Sequence, residues 1–401
     1  MIHLIPSHQS RPSDDPIFSL NRDAVARAAK GERIINATIG TLLDDDGKLS
    51  VLPTAARVVH ETAAAHWAAY APIAGDPAFL EAVQNDLLSG EPRLRATSTA
   101  VATPGGSGAL RHAIVNFLEP GQAMLTTSYF WAPYLTLADE AERKVATFSM
   151  FTADGKLDVD ALDRAVAKQI EEQGRVLLII NDPCHNPTGY SMSHEEWRLV
   201  VERLVPHAER APLTLLVDVA YAAYSAGPSW DHLGELTPLL GKAGLLFAWS
   251  ASKTFTHYGL RVGSLIACIA DEKERAITQN ALSYSSRGTW SNCNAGGLRA
   301  IGRLLSEPAL KAACDSEREV KRQLLLKRVG VFNDLAHGKH LRYPRYDGGF
   351  FVSVFTDQAS EKAAQMRDRG VYVVPIKGAL RVGLCAVAEK DIPELVNALA
   401  G

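Results

Sequence analysis

The sequence has few cysteines, little net charge and no long apolar run. Five cysteines are scattered through 401 residues without a CxxC spacing, at Cys184, Cys268, Cys293, Cys314 and Cys385. Reduced thiols in a cytoplasm are the simplest account of this pattern, so we expect a cytoplasmic protein. The 42 basic and 45 acidic side chains leave a formal net charge of -3, which gives no electrostatic case for binding nucleic acid or an anionic membrane surface.

Signals for membrane insertion or export are lacking as well. No segment is long enough and apolar enough to span a bilayer, and the amino terminus has no long apolar core after basic residues. The cysteines show no metal-ligand spacing, and we expect no metal site. With 47% hydrophobic and 22% charged residues the chain resembles an ordinary globular protein, and its length suggests two or three domains.

Short apolar runs alternate with helical patterns in the middle of the chain. Three continuous apolar runs predict strands that are covered on both faces, at 176–180, 213–217 and 245–248. Before the first of them, Leu162, Val166 and Ile170 recur every fourth residue and predict a helix that ends at Gly174. This alternation predicts an α/β fold with parallel strands and crossover helices.

The carboxyl-terminal part has a different pattern, which predicts a smaller α+β domain. We expect strands at 349–355, 372–374 and 380–384, a helix at 359–369 and a last helix at the end. The connection at about 300–335 is rich in Leu, Lys, Arg and Glu, which predicts long helices rather than a flexible linker. The chain contains no internal repeat.

One segment, 249–263, sets a lysine among hydroxyls and an arginine. Lys253 follows Ser250 and Ser252 and precedes Arg261. Lysine forms Schiff bases with carbonyl compounds, and hydroxyls with a guanidinium can bind a phosphate dianion. The grouping suits a covalently held aldehyde cofactor that carries a phosphate. The alternative interpretation is a buried strand end followed by a basic loop.

Polar side chains follow two predicted strands, at the edge where open α/β sheets bind ligands. Asn186 lies in an Asn-Pro-Thr-Gly segment after the strand at 176–180, and by itself this segment indicates only a turn. Asp218 and Tyr221 follow the strand at 213–217. A lone Asp at a strand end is more often a helix cap or a loop residue, so these positions alone remain open.

A glycine-rich segment at 103–108 precedes a helical pattern and can bind an anion through its amides, among them those of Gly106 and Ser107. A dinucleotide loop is the rival interpretation, but the GxGxxG spacing is incomplete. No Gly-Lys-Ser/Thr follows, so the segment is not a Walker loop. The four motifs occur in one order over roughly 150 residues, and each would serve pyridoxal phosphate.

With these motifs the chain resembles the fold-type I, pyridoxal-phosphate-dependent class I aminotransferases, and within them the aspartate and aromatic amino acid aminotransferase group. Further similar segments lie at 15–18, 35–40, 46–48, 70–75, 287–292 and 380–382. The resemblance implies an α/β fold with a mostly parallel central sheet in a large domain and a smaller α+β domain. It also implies an amino-terminal segment, 1–48, that packs on the small domain, a large cofactor-binding domain at 49–305 and a small domain at 306–401.

The resemblance implies a transaminase that moves an amino group between an L-amino acid and a 2-oxo acid such as 2-oxoglutarate. Lys253 would form the Schiff base and move the substrate proton, and Asp218 would pair with the pyridine nitrogen. Tyr221 and Asn186 would bind the ring oxygen. Trp131 would stack on the ring, although a core aromatic is an equal alternative. The phosphate would be bound by Gly106, Ser107, Ser250, Ser252 and Arg261.

The substrate would be held by residues from several segments. Arg381 would clamp its α-carboxylate in a two-pronged geometry, and Trp131 and Asn186 would contact it as well. Gly40 would let the amino-terminal segment close over it, covered by residues 17 and 18.

The resemblance also implies a homodimer that completes each site. Tyr70 would reach the phosphate from the other subunit, and Arg287 would reach the distal carboxylate of aspartate or glutamate. Arg287 therefore favours a dicarboxylate substrate. Trp290, where tyrosine is usual, favours use of both acidic and aromatic amino acids.

The chain departs from the family pattern at several positions. Tyr134 and Asn181 stand where histidines are usual, Thr254 stands where asparagine is usual, and a Cys-Asn pair at 293–294 replaces two prolines. A lyase or decarboxylase of the same fold would share Lys253, Asp218 and Arg261 and stays open as an alternative, although Arg381, Arg287 and Trp131 favour transamination. A cofactor-binding regulatory domain is less expected, because no basic helix-turn-helix segment accompanies the fold.

Overall fold

A seven-stranded sheet forms the centre of the protein in the computed structural model, which describes residues 2–12, 15–227 and 231–401. The strands of this sheet and of two smaller sheets are, in the described residues, β1 Ile35–Asn36, β2 Ser98–Thr103, β3 Ala123–Thr127, β4 Lys144–Phe148, β5 Val176–Asn181, β6 Leu213–Asp218, β7 Gly244–Ser250, β8 Gly263–Cys268, β9 Val352–Phe355, β10 Val371–Tyr372, β11 Val374–Ile376 and β12 Ala379–Val382. The central sheet has the order β2-β8-β7-β6-β5-β3-β4, and within it β8 runs antiparallel to both of its neighbours. The mostly parallel sheet that the sequence predicts is confirmed.

Helices cover both faces of this sheet. The α-helices of the described residues, including those outside this sheet, are α1 Pro16–Ala29, α2 Pro53–Glu61, α3 Ala64–Ala68, α4 Pro77–Leu88, α5 Pro92–Ala96, α6 Gly105–Phe117, α7 Pro133–Glu140, α8 Val159–Gln173, α9 His194–Ala208, α10 Ala251–Thr254, α11 Glu272–Thr289, α12 Ala295–Ser306, α13 Pro308–Gly338, α14 Ala359–Asp368 and α15 Ile392–Ala400. Alternate residues of β5 enter different apolar clusters, Leu178 on one face and Leu177 on the other. The continuous apolar runs therefore reflect burial on both faces.

Most predicted elements of the large sheet are present. The three predicted strands correspond to β5, β6 and β7, and the predicted helix is α8. Gly174 ends α8 in the left-handed region, with a φ of 73°. The predicted long helices at 300–335 correspond to α12 and α13.

The carboxyl-terminal part contains two small sheets and corrects one prediction. A single strand at 372–374 is wrong, because the chain leaves β10, which pairs with β1, and enters β11, which pairs with β12. Two other predicted strands are shorter than expected, at β9 and β12. Beyond β12 the backbone N–H of Gly383 donates to the carbonyl of Ala37, and the chain then turns into a 3-10 segment, Leu384–Ala386.

The amino-terminal residues contact the carboxyl-terminal part of the chain through strand pairing, ion pairs and hydrogen bonds. β1 pairs with β10, and the Arg33 guanidinium lies 2.9 Å from carboxylates of both Asp391 and Glu394. Arg328 of α13 is fully buried, and its guanidinium donates to the carbonyls of Cys385 and Leu43. In the part of the chain that the structure describes, no helix is long and apolar enough to cross a membrane.

Candidate active site

A cavity of about 340 Å³ lies at the carboxyl ends of the parallel strands β5, β6 and β7. Strand register aligns these ends, since Asn181 pairs with Asp218 and Asp218 pairs with Ala248. The cavity is lined by Phe18, Gly106, Ser107, Leu110, Trp131, Asn181, Asn186, Asp218, Ala220, Tyr221, Ser250, Ser252, Lys253, Tyr258 and Arg261. The fold thus brings together ten of the fourteen site residues predicted from the sequence.

Lys253 lies on the short helix α10, directly after β7. Its Nζ donates to the carbonyl of Gly40 at 2.9 Å and lies 4.7 Å from the ring centre of Tyr258 and 5.5 Å from that of Tyr221. Burial lowers the pKa of the Lys253 amine from 10.5 to about 8. About a tenth of the amine is then neutral at pH 7, which is the form that attacks a carbonyl carbon.

Gly40 of the amino-terminal segment accepts the hydrogen bond of the Lys253 amine beside the cavity. A Cβ at this position would come within 2.6 Å of the Phe351 ring, so the close approach itself requires glycine. This contact explains why glycine is needed at position 40, whether or not the segment moves. The role of Gly40 in closing the amino-terminal segment over a substrate stays a prediction.

Asp218 is the last residue of β6 and is buried. Its Oδ1 accepts from the backbone N–H of Ala220 at 3.2 Å, and its Oδ2 accepts from the Tyr134 hydroxyl at 3.4 Å. Burial raises the pKa of the Asp218 carboxyl to about 6. Asn181 supports the same residue, because its side-chain amide donates to the Asp218 carbonyl at 2.8 Å. Two of the positions that depart from the family pattern therefore contact Asp218.

Asn186 and Tyr221 form the polar wall beside this acid. The Asn186 side-chain amide donates to the Tyr221 hydroxyl at 3.4 Å, and its backbone N–H donates to Asn181 Oδ1 at 2.7 Å. Burial raises the pKa of the Tyr221 phenol, which therefore stays protonated at neutral pH. The buried Oδ1 of Asn186 has no partner among the described residues. Both side chains can hydrogen-bond an oxygen of a bound group.

The opposite end of the cavity is built to bind an anion. The helix α6 begins here and leaves its first backbone N–H groups without helical partners. Arg261 Nη1 donates to Ser252 Oγ at 3.2 Å, and Ser250 Oγ accepts from the Ser252 N–H at 3.2 Å. A guanidinium, two hydroxyls and a helix amino terminus together suit a phosphate dianion.

Arg381 lies on β12 and is 6% exposed. Its Nη2 donates to the carbonyl of Thr38, its guanidinium lies 4.7 Å from the ring centre of Phe351, and its Nε has no partner in the described part of the chain. It does not line the cavity itself. A buried guanidinium with an unused donor is suited to an incoming carboxylate.

Two predicted residues lie away from the cavity of their own chain. Tyr70 is 90% exposed, and Arg287 at the end of α11 donates to Ser291 Oγ at 2.7 Å on the surface. Trp290 does not line the cavity, because its ring stacks on that of His112 with 4.4 Å between the ring centres.

Trp131 lines the cavity as predicted, and its ring meets Tyr134 edge-on at 5.8 Å between ring centres. The sequence interpretation missed Tyr258 and Phe350, whose rings lie within 5.8 Å of the Lys253 amine. Tyr258 lies in the lysine segment itself, but nothing in its spacing marks it. Phe350 comes from a distant apolar run, so only the fold reveals the contact.

Known proteins that are similar to this chain in sequence or structure are aminotransferases. A model of the family described as aminotransferase class I and II matches residues 32–399. An aromatic-amino-acid aminotransferase of Pseudomonas aeruginosa is 30% identical over 318 residues, which cover 77% of this chain and 76% of that protein. An aspartate aminotransferase of Escherichia coli is 27% identical over 403 residues, covering 96% of both proteins. The crystal structure of an aminotransferase from Anaerococcus prevotii has a TM-score of 0.92 at 32% identity, covering 100% of this chain and 99% of that one.

Proposed function

The chain belongs to the class I and II aminotransferases, and we propose that it moves amino groups between acidic or aromatic L-amino acids and 2-oxoglutarate through a Schiff base at Lys253. As a member of this family it is a transaminase that depends on pyridoxal phosphate. The proposal rests on one observation: an amine with a lowered pKa, a buried carboxylate and an anion-binding corner converge in a single cavity.

The residues of the cavity fit pyridoxal phosphate part by part. Asp218 would pair with the ring nitrogen, since its carboxylate otherwise accepts only from neutral donors. Asn186 and Tyr221 would hydrogen-bond the ring oxygen, and Trp131 would cover one face of the ring. The phosphate would be bound by Gly106, Ser107, Ser250, Ser252 and Arg261.

Different side chains of the cavity would transfer the proton and stabilise the charge. When bound, pyridoxal phosphate supplies an electron sink for the pair of electrons left at the substrate Cα after proton loss. Asp218 would keep the ring nitrogen protonated through a charge-assisted hydrogen bond in a buried site. Lys253 moves the proton at the substrate Cα, because an amine with a pKa near 8 can both accept and return a proton near neutral pH.

Arg381 would hold the substrate α-carboxylate. Burial lowers the pKa of its guanidinium but leaves it charged, and its free Nε adds a second donor to a planar fork. Phe18 lines the cavity while remaining 62% exposed, so it can cover a bound substrate from the start of α1.

A second copy of the chain would complete the site. Tyr70 would donate to the phosphate and Arg287 would bind the distal carboxylate across the interface of a homodimer. This assignment is supported by the exposure of both side chains and by their absence from the cavity of their own chain. Related enzymes bear the names aromatic-amino-acid and aspartate aminotransferase, which supports the two substrate classes.

We also propose the division into an amino-terminal segment at 1–48, a large domain at 49–305 and a small domain at 306–401. Separate apolar clusters around Leu178 and Leu380 support it. A cytoplasmic location is proposed as well, because all five cysteines are buried and free.

The attachment site is tested by borohydride reduction of the purified enzyme followed by peptide mapping. We expect the reduced cofactor on the peptide that contains Lys253, and we expect no trapped cofactor in Lys253→Ala. Trapping on another lysine would contradict the assignment.

Substrate choice is tested with single amino donors and the formation of the matching 2-oxo acid. Wild-type enzyme should convert both aspartate and phenylalanine, and Arg287→Ala should lose about 10- to 100-fold in kcat/KM for aspartate only. Release of ammonia or an amine without any 2-oxo acid would instead indicate a lyase or decarboxylase.

A further inference from the structure

A cluster of imidazoles and carboxylates lies outside the cavity, where the start of α9 packs on the 3-10 segment Asp231–Leu239. His194 is the first residue of α9, and Asp231 and His232 begin the 3-10 segment. Among the described residues, one ligand atom from each of these three side chains lies within 4.8 Å of the other two. None of the three takes part in the proposed transamination.

The distances from the two imidazoles to one oxygen of Asp231 are compatible with a shared metal ion. His194 Nε2 lies 3.3 Å from Asp231 Oδ1, and His232 Nδ1 lies 3.6 Å from the same oxygen. A separation of 3.6 Å is too long for a hydrogen bond. Two ligand atoms on a tetrahedral ion with bonds of about 2.0–2.1 Å are separated by roughly 3.3 Å.

Glu235 supplies the outer contact that metal-binding histidines commonly have. Its Oε1 lies 3.1 Å from His194 Nδ1, and its other oxygen lies 3.7 Å from Arg198 Nε. A carboxylate that accepts from Nδ1–H fixes the tautomer and leaves the lone pair of Nε2 facing Asp231. Two electron-rich atoms would then face each other unless a metal ion or a second proton lies between them.

His232 gives the second, independent observation. Its Nδ1 is buried and has no hydrogen-bond partner among the described residues, although Asp231 is adjacent. The competing explanation is a doubly protonated His194 paired with Asp231 and Glu235. That explanation accounts for His194 but leaves the His232 nitrogen without a partner, and a buried nitrogen of this kind is costly.

We propose that His194, Asp231 and His232 bind one divalent transition-metal ion of the Zn²⁺ class, with Glu235 orienting His194. Two imidazole nitrogens and one carboxylate oxygen favour Zn²⁺ over Mg²⁺ or Ca²⁺, which prefer oxygen ligands alone. A water molecule completes the four ligands. The ion joins the start of α9 to the 3-10 segment, so it stabilises the fold and takes no part in amino transfer.

The test uses tag-free holoenzyme that has been freed of metal and is titrated with Zn²⁺ by calorimetry. We expect one Zn²⁺ per chain, and about tenfold or greater loss of affinity in each of His194→Gln, Asp231→Asn and His232→Gln. Glu235→Gln should weaken binding about 10- to 100-fold. His60→Gln, which changes an exposed histidine of α2, should bind as wild type does. Mg²⁺ and Ca²⁺ at the same concentrations should give no binding.

Two further measurements use the wild type, so they test the proposal even if a variant folds poorly. Zn²⁺ should raise the Tm of the wild type, and a chelator should reverse the rise without changing transaminase activity. Co²⁺ bound to the wild type should give the strong visible absorption of a four-coordinate ion. Absence of Zn²⁺ binding to the wild type, a weak six-coordinate Co²⁺ spectrum, or equal Zn²⁺ affinity in folded His194→Gln would each overturn the proposal. None of these outcomes bears on the transaminase assignment.

Discussion

At the scale of single residues, burial gives the two central ionisable groups of the cavity unusual pKa values. The Lys253 pKa falls to about 8 and the Asp218 pKa rises to about 6, in both cases mainly because the charged form loses water. Both pKa values therefore lie closer to pH 7 than those of the free side chains. Such a pair is typical of sites where one group transfers protons and the other binds a cationic partner.

The lowered Lys253 pKa predicts how apoprotein captures pyridoxal phosphate. Only the neutral amine attacks the aldehyde, so the capture rate should rise with pH and level off above about pH 8. A free lysine derivative under the same conditions should keep rising toward about pH 10.5. Stopped-flow absorbance measures both, and a midpoint for the protein near that of the free amine would contradict the effect of burial.

Arg381 predicts a loss that lysine cannot repair. Arg381→Lys keeps the charge but removes the planar fork, so kcat/KM should fall about 10- to 100-fold with every amino donor, corresponding to ~1.5–3 kcal/mol. Cofactor content, measured by absorbance, should not change. Arg369→Lys, an exposed position after α14, is the control and should retain full activity. A fall confined to acidic donors would mean that Arg381 binds a different carboxylate.

Some residues of the active site could be predicted from the sequence, and others could not. Lys253, Asp218 and Asn186 could be found because each lies at the end of a strand with a continuous apolar run, or within five residues after it. Tyr258 and Phe350 could not, because their contacts with the lysine depend on tertiary packing. The histidine cluster was missed for the same reason, since α9 and the 3-10 segment meet only in the folded chain.

At the scale of elements, the start of α6 and the loop that carries Arg261 fit tightly together. Gly105 has a φ of 71°, and a Cβ there would lie 2.5 Å from Arg261 Nη2. The left-handed conformation favours glycine, and a Cβ at this position would push the Arg261 guanidinium aside. The helix amino terminus and the guanidinium can therefore act on the same anion.

This contact predicts a selective effect of Gly105→Ala. The added methyl group should displace Arg261, and the affinity for pyridoxal phosphate should fall about tenfold or more, as measured by cofactor titration. Gly121→Ala is the matched control, because Gly121 has a φ of 83° but nothing within 4 Å of a Cβ. It should cost about 1 kcal/mol of stability through backbone strain and leave cofactor affinity unchanged. Equal affinity in the two variants would remove Arg261 from the phosphate site.

Elements also differ in how well the sequence predicts them. The central strands are predictable because burial on both faces leaves continuous apolar runs. The division between β10 and β11 is not, because β10 is defined by pairing with β1, which lies near the other end of the chain. Strand boundaries that depend on such distant partners leave no local signal.

At the scale of the whole molecule, the proposed active site needs residues from two chains. If Arg287 acts across the interface, a hybrid of a Lys253→Ala chain with an Arg287→Ala chain contains one complete site and one that lacks both residues. Such purified hybrids should have about half of wild-type activity with aspartate, whereas both parent homodimers should have little. If Arg287 acted within its own chain, the hybrid would have no complete site and no such activity.

The most direct test of the central claim is the half-reaction of stoichiometric holoenzyme with one amino acid in the absence of an acceptor. We predict that aspartate or phenylalanine converts the cofactor absorbance to that of the pyridoxamine form and releases one equivalent of the matching 2-oxo acid. Addition of 2-oxoglutarate should then restore the original spectrum and yield glutamate. A spectrum that remains unchanged with every amino acid, or product formation without the pyridoxamine form, would contradict the claim that this site transfers amino groups.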